Sequence, residues 1–369
     1  MLFLPSTIEE RKIVKHVAGY PRVKPETFDT PFFLKDIIEG ADEDSNQAIT
    51  SPIIEDSIIV KKTGDASLPG NPDQNAPTVP VYEISFKTQD GQSHKLENRF
   101  AFIGYGSNSS ETVLAKKFGQ QKFEGDKDRS VPVLMVNAQN HAVCHSAFIG
   151  GAGSVPVTMM KSEDTNTRVS MSFYTFDQVA RMNSSEPNYD VVRMDEAKFC
   201  LNNGIEVDAS PCVYDSIWGA LLTDDNELMI NNCIPHEIKN EGAKVKSFST
   251  MQAMGRSQEL FHRNGGKFSD LFNIYSRFNE LVGNFERFIL AAKNPKAADY
   301  TDKEQLAKER KNRHDLRMRI NACMAPHSKP RNIEGTVIQT ASLTQDRANC
   351  FDKKGNPSQK RMKHTKLVA

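Results

Sequence analysis

Apolar and polar positions change their spacing several times along the chain, and each change predicts an element. From residue 81, VYEISFKT alternates apolar with polar residues, as a half-buried strand does. TQDGQ then carries the Asp-Gly of a tight turn, and SHKLENRFAFIGY returns as a second strand. Further strands are predicted at VPVLMVNA (131–138), SVPVTMMK (154–161), RVSMSFYTF (168–176), YDVVRM (189–194) and VYDSIWGALL (213–222). Among them FDQVARM has apolar residues at 176, 179 and 182, a helical spacing. Residues 81–240 thus predict one strand-dominated α+β unit.

The flanks differ. In residues 1–63, TFDTPFFLKDIIEG predicts a short helix and SPIIEDSIIVKK a strand or two. GDASLPGNPDQNAPTVP (64–80) holds four Pro and two Gly, the composition of a linker or an extended surface loop, so 1–80 is expected to be an N-terminal extension. Residues 241–325 are expected to be helical. FSDLFNIYSRFNELVGNFERFILAAKN has apolar positions at 268, 271, 272, 275, 278, 281, 282, 285, 288 and 289, a wide stripe with Ser269 as N-cap, suited to core packing. A second, highly charged helix is expected over about 302–324. From 326 to 369 the chain becomes polar and basic and is expected to be a mobile tail. No internal repeat occurs.

Composition narrows the class. The chain has 369 residues and a 38% apolar share, enough for a sizeable core, with 21 Phe against one Trp. No segment approaches the ~20 consecutive apolar residues of a membrane span, and MLFLPSTIEERK lacks the features of a secretory signal. The six cysteines (144, 200, 212, 233, 323, 350) form no CxxC pair, so free, mostly buried thiols and a reducing, cytoplasmic setting are expected. Charge is divided. Residues 1–243 carry 22 Lys+Arg and 35 Asp+Glu, whereas 244–369 carry 25 and 12. Either the basic part folds back on the acidic part, or it offers a surface to an acidic partner. The tail lacks interleaved aromatics, so nucleic acid is not expected as a partner, nor is a membrane.

Chemistry concentrates at FAFIGYGSNSSETVLAKKFG (100–119), where a strand gives way to helical spacing. Gly104 and Gly106 flank Tyr105 and permit a sharp bend. Ser107 and Asn108 can bond to nearby backbone, and Asn108 tolerates a left-handed conformation. A helix starting near 109 or 110 would aim free N–H groups at the bend, a site for an anion or carbonyl oxygen. On the residues alone, this reading and a plain strand end stand side by side. Neither a Walker loop nor a complete dinucleotide fingerprint is present.

The corner FIGYGSN resembles the signature of the γ-glutamylcyclotransferase-like superfamily. About 80 residues on, FDQVARMNSSEPNYDVVRM offers the short helix, glutamate and Tyr-containing strand of that family in the same order. The resemblance covers about 101–220. It implies a small mixed β-barrel with helices packed around it, with Glu186 as general base and Tyr105, Gly106, Ser107 and Asn108 as the substrate-binding turn. Tyr189 and Arg193 are implied to line the pocket, and Tyr105 to place its hydroxyl near the substrate amine. Two positions depart from the family pattern: Ser109 stands where Leu or Met is common, and Pro187 where Gly follows the glutamate. The implied reaction takes a small γ-glutamyl substrate, needs no cofactor and releases 5-oxoproline and an amine. The alternative is an inactive binding or scaffold module, engaging a protein partner or a second copy through its helical, basic C-terminal region.

Other constellations are weaker. Asp177, Asp190, Asp195 and Glu196 read as surface charges. His141, Cys144 and His145 would share a face on a helix and could bind metal, but their surroundings read as loop and strand, so packed residues and no metal are expected. GGAGSVP (150–156) has the wrong spacing for a nucleophile elbow and predicts a glycine turn between strands.

Overall fold

The computed structural model describes residues 23–40, 45–69, 77–119, 128–150, 154–264 and 303–344. In chain order the strands are β1 (Phe32–Ile38), β2 (Gln47–Pro52), β3 (Ile59–Ala66), β4 (Val79–Lys87), β5 (Ser93–Gly104), β6 (Val131–Ala138), β7 (His141–His145), β8 (Val157–Lys161) and β9 (Thr165–Tyr174). There follow β10 (Tyr189–Arg193), β11 (Phe199–Cys200), β12 (Cys212–Ser216), β13 (Ala220–Leu221), β14 (Leu228–Asn231), β15 (His236–Ile238), β16 (Val245–Phe248), β17 (Ser328–Lys329) and β18 (Thr336–Gln339). The helices are α1 (Glu111–Gly119), α2 (Phe176–Ser184), α3 (Thr250–Arg263) and α4 (Lys303–Met324). The fold is α+β and mostly strand, as the periodicity predicts.

The principal sheet has twelve strands, along the path β18-β10-β12-β5-β9-β6-β1-β2. This path is open. The implied small barrel is therefore corrected: no closed barrel forms among the described residues. The path's free ends are β18 and β2, and β5, inside it, branches. Its first half pairs with β4, which carries β3, and its second half pairs with β9 and, in parallel, with β12. Burial follows the branch: residues 93–98 are exposed or half-buried, whereas 99–104 are buried throughout, as in a strand covered on both faces. A four-stranded sheet (β16-β14-β7-β8) and the pair β13-β17 complete the framework.

Two expectations on the flanks and one inside the strand-rich unit are corrected. The helix expected near Phe32 is β1. Leu34 and Ile37 are both buried, a helix-like spacing, because a bulge between Leu34 and Asp36 resets the strand's alternation. The supposed tail is ordered over 328–344, where β17 and β18 extend the sheets. Asp190 is buried rather than a surface charge. The aromatic stripe over 268–289 and the Gly151-Ala152-Gly153 part of the expected glycine turn lie outside the described residues.

Apolar burial falls mainly into two clusters. The larger lies on the principal sheet, around Phe102, Met135, Met171, Phe173 and Val213. The second joins Phe148, Trp218, Met254, Phe261, Met318 and Ile320, packing α3 and α4 against the sheets. Tyr189 touches both clusters. No helix among the described residues is long and apolar enough to cross a membrane.

Candidate active site

Strand β5 delivers its last residues to the corner, and one serine fastens the exit. Ser170 Oγ, from β9, donates to the Gly104 carbonyl and shares a hydrogen bond with Ser109 Oγ, both at 3.0 Å. A Cβ on Gly104 would stand 2.6 Å from Ser170 Oγ, so this close approach requires glycine. Ser109 is buried here, which gives the departure at that position a structural role.

Beyond Tyr105 the chain makes a single 3-10 turn, Ser107–Ser109, closed by Ser109 N–H to Gly106 O (3.0 Å) and Ser110 N–H to Ser107 O (3.1 Å). α1 then starts at Glu111, with Leu114 N–H bonded to Ser110 O. The first amides of such a turn, at Ser107 and Asn108, have no acceptor within it. Asn108 is not left-handed; among the described non-glycine residues only Asn98, Asn140 and Asn226 have positive φ. Its contribution is its side chain.

The second half comes from α2 and its exit loop. Thr175 and Gln178 form a reciprocal capping box at the start of α2 (Gln178 N–H to Thr175 Oγ1, 3.3 Å; Thr175 N–H to Gln178 Oε1, 2.9 Å). After α2 the loop tightens through Glu186 N–H to Asn183 O and Tyr189 N–H to Glu186 O, each 3.2 Å. Leu343 N–H donates to the Pro187 carbonyl at 3.1 Å, and Asn183 Nδ2 to Gln339 Oε1 at 2.9 Å, so the C-terminal segment braces this loop.

The two halves meet. Asn108 Nδ2 donates to Glu186 Oε1 at 3.1 Å. Lys117 Nζ, from α1, lies 3.3 Å from the same oxygen and donates to Asn108 Oδ1 (2.7 Å) and Ser185 Oγ (2.9 Å). The Lys117 and Glu186 side chains are each 18% exposed, sheltered but reachable. Burial, and then the neighbouring Glu186 charge, push the Tyr214 phenol well above 10; burial raises Tyr174 likewise, with Glu186 adding to it. Both phenols stay protonated at neutral pH.

Other expected residues are engaged elsewhere. The Tyr105 hydroxyl donates to the Tyr214 carbonyl and is buried, so it is not offered to a substrate. The Tyr189 hydroxyl donates to the Val157 carbonyl at 3.0 Å, and its ring packs on Phe148. Arg193 binds Asp195 and the Thr78 carbonyl. A cavity beside His141 and Glu334 and another beside Trp218 and Arg331 are lined neither by Glu186 nor by Tyr105–Asn108. His141 and His145 bond to the carbonyls of Gln139 and Phe248, and no group of three His, Cys, Asp or Glu among the described residues is placed to hold a metal ion. Sequence reasoning missed Lys117, Ser185, Asn183 and Gln339. A lysine late in an amphipathic helix carries no signal of its partner.

Comparison with protein-family models, with curated proteins and with solved structures finds no match for this chain.

Proposed function

We propose that the chain is a γ-glutamylcyclotransferase-like enzyme that releases 5-oxoproline and an amine from a small γ-glutamyl substrate. The observation that carries this reading is the hydrogen bond from Asn108 to Glu186, which joins the YGSN corner to the lone glutamate the resemblance singles out. In the proposed reaction Glu186 takes a proton from the substrate α-ammonium. The freed α-nitrogen attacks the side-chain carbonyl carbon and closes a five-membered ring. The oxyanion that forms is met by amides of the 106–108 turn. The ring nitrogen, which carries two hydrogens after attack, must lose one of them. The tetrahedral centre collapses, and the bond to the leaving nitrogen breaks as the proton held by Glu186 passes to that nitrogen. The freed carboxylate takes the second proton from the ring nitrogen and hands it to the departing amine, which leaves as an ammonium. Attack is intramolecular, so the protein's task is to fold the substrate and shuttle protons. Both side-chain contacts to Glu186 among the described residues fall on Oε1, and Oε2 is the oxygen assigned to the substrate. We read the β5, β9 and β12 region as kin to the family's mixed barrel, left open between β18 and β2.

The Lys117–Glu186 ion pair favours a second reading. In it the chain is a binding or scaffold module, and the pair only ties α1 to the loop before β10. One experiment separates the two. The full chain is incubated with γ-glutamyl dipeptides, γ-glutamyl amines and glutathione, and 5-oxoproline is measured for wild type and Glu186→Gln. The enzyme reading expects turnover that falls at least about 100-fold in the variant, while its fold is retained. Wild-type protein that releases none from any substrate supports the scaffold.

A further inference from the structure

Glu186 lies in the short stretch between the last turn of α2 and the start of β10, and the two ends of that stretch are held in different ways. The β10 end is fixed by the sheet. Tyr189 begins the strand, and Asp190 beside it stands opposite Asp215 of β12 and accepts hydrogen bonds from Arg331 and from Ala341 N–H. At the α2 end the tie is a side chain, that of Asn183.

Asn183 bonds in three directions. Its main-chain carbonyl accepts from Glu186 N–H at 3.2 Å. Its Oδ1 accepts from the Tyr214 hydroxyl at 2.8 Å, and its Nδ2 donates to Gln339 Oε1 at 2.9 Å. Tyr214 belongs to β12 and Gln339 to β18, the strands on either side of β10, and both stand opposite Val191. Residues opposed across an antiparallel ladder send their side chains to the same face. The Asn183 amide therefore bridges the two neighbours of β10, level with Val191. Packing alone does not call for an amide here. Val179 and Met182 of α2 are buried and dock the helix, and apolar burial is non-directional. Hydrogen bonds to two strands are directional, so they fix the orientation of the turn that leads into Glu186.

We propose that Asn183 is the positioning residue of Glu186: held between Tyr214 and Gln339, it sets where the carboxylate stands against Asn108 and Lys117. The proposal rests on the reading of Glu186 as the base. Asn183 touches no reacting atom and acts only through the loop. Without its amide, the Tyr214 hydroxyl and the Gln339 side chain each lose a partner, and the loop keeps its sheet anchor at the β10 end alone.

Lys117 reads this placement without any substrate, because two of its acceptors, Ser185 Oγ and Glu186 Oε1, ride on the loop. The full chain is treated with a limiting amount of acetic anhydride at pH 8. Acetylation of Lys117, and of exposed Lys246 on β16 as a control, is followed by mass spectrometry for wild type, Asn183→Ala, Gln339→Met and Gln339→Glu. Lys117 is expected to react about tenfold faster in Asn183→Ala and faster in Gln339→Met, with Lys246 unchanged. Gln339→Glu keeps an acceptor for Asn183 Nδ2 and is expected to stay near the wild-type rate. On γ-glutamyl substrates Asn183→Ala should lower kcat at least about tenfold while KM stays within about twofold, and Gln339→Glu should rescue the loss seen in Gln339→Met. Wild-type protein without turnover overturns the enzyme reading, and the acetylation rates then decide the placement of Glu186 by themselves. If Asn183→Ala does not fold, Gln339→Met, which leaves Asn183 in place, carries the test. Unchanged Lys117 reactivity, a rise in Lys246 that matches it, or an unchanged kcat in an active enzyme would each overturn the proposal.

Discussion

Asn108 and Glu186, 78 residues apart in sequence, meet through one hydrogen bond of 3.1 Å. Two irregular segments are fixed by it: the turn after β5 and the loop after α2. Each is already tight locally, so the bond costs little additional chain ordering. Lys117 ties both to α1.

Asn108→Ala removes that bond and one acceptor of Lys117. A hydrogen bond to a half-buried charged group is worth about 1–2 kcal/mol. Urea unfolding of the variant should show a loss of that size with an unchanged slope. 5-Oxoproline release, on the proposed reaction, should fall at least about tenfold.

Gly104→Ala sets a Cβ 2.6 Å from Ser170 Oγ and 3.1 Å from Ser109 Oγ. Ser170 Oγ is held by two hydrogen bonds and cannot simply rotate away. A cost of about 1–3 kcal/mol is expected from this overpacking. Gly104→Ala combined with Ser170→Ala should recover part of it, and a double-mutant cycle on thermal melts measures the coupling. Additive losses would mean that the serine is not what glycine accommodates.

Burial holds His236 at about 4, below its usual 6.5, and its Nε2 accepts from Val143 N–H at 3.2 Å, which requires the neutral ring. The unfolded chain binds the proton first, so the stability this ring contributes is complete above about 6.5 and is lost as pH falls toward 4. His236→Gln should therefore lose on the order of 2 kcal/mol less than wild type between pH 7 and pH 5, read from unfolding curves. His145, buried and likewise lowered to about 4, acts in the same direction.

Asp215 acts in the opposite sense. Its carboxyl is raised to about 7, so the folded state keeps a proton that the unfolded chain has released above about 3.9. Wild-type protein should lose stability through this group as pH rises from 4 to 7. Asp215→Asn escapes that loss and should gain on the order of 2–3 kcal/mol over wild type between pH 5 and pH 8. A constant difference across that range would show that the carboxyl is not buried in its charged form.

Much of the architecture can be read from local pattern. VPVLMVNA is β6 residue for residue, and FDQVARM, preceded by Thr175 and carrying Gln178, marks α2 together with its cap. YDVVRM and the Asp-Gly turn also hold, with Gly91 at φ +84°. These features depend on residues one pleat or one helical turn apart. The β1 bulge escaped because one inserted residue makes a strand imitate helical spacing. The 328–344 segment escaped because its polar residues find partners such as Asp190, Asn183 and Lys161, which are distant in sequence.

By itself, then, the amino-acid sequence determined the run of strands, the bend at GYGSN and the order of turn, helix and glutamate, because propensity and turn chemistry act over a few residues. Only the tertiary structure decided that Lys117 shares the Glu186 oxygen, that Tyr105 points inward, that the principal sheet stays open, and that Asp190 and Asp215 face each other with one arginine between them. Each of those outcomes depends on strand register and on contacts between distant segments, and their charges acquire a meaning only once burial has removed the water that would otherwise screen them.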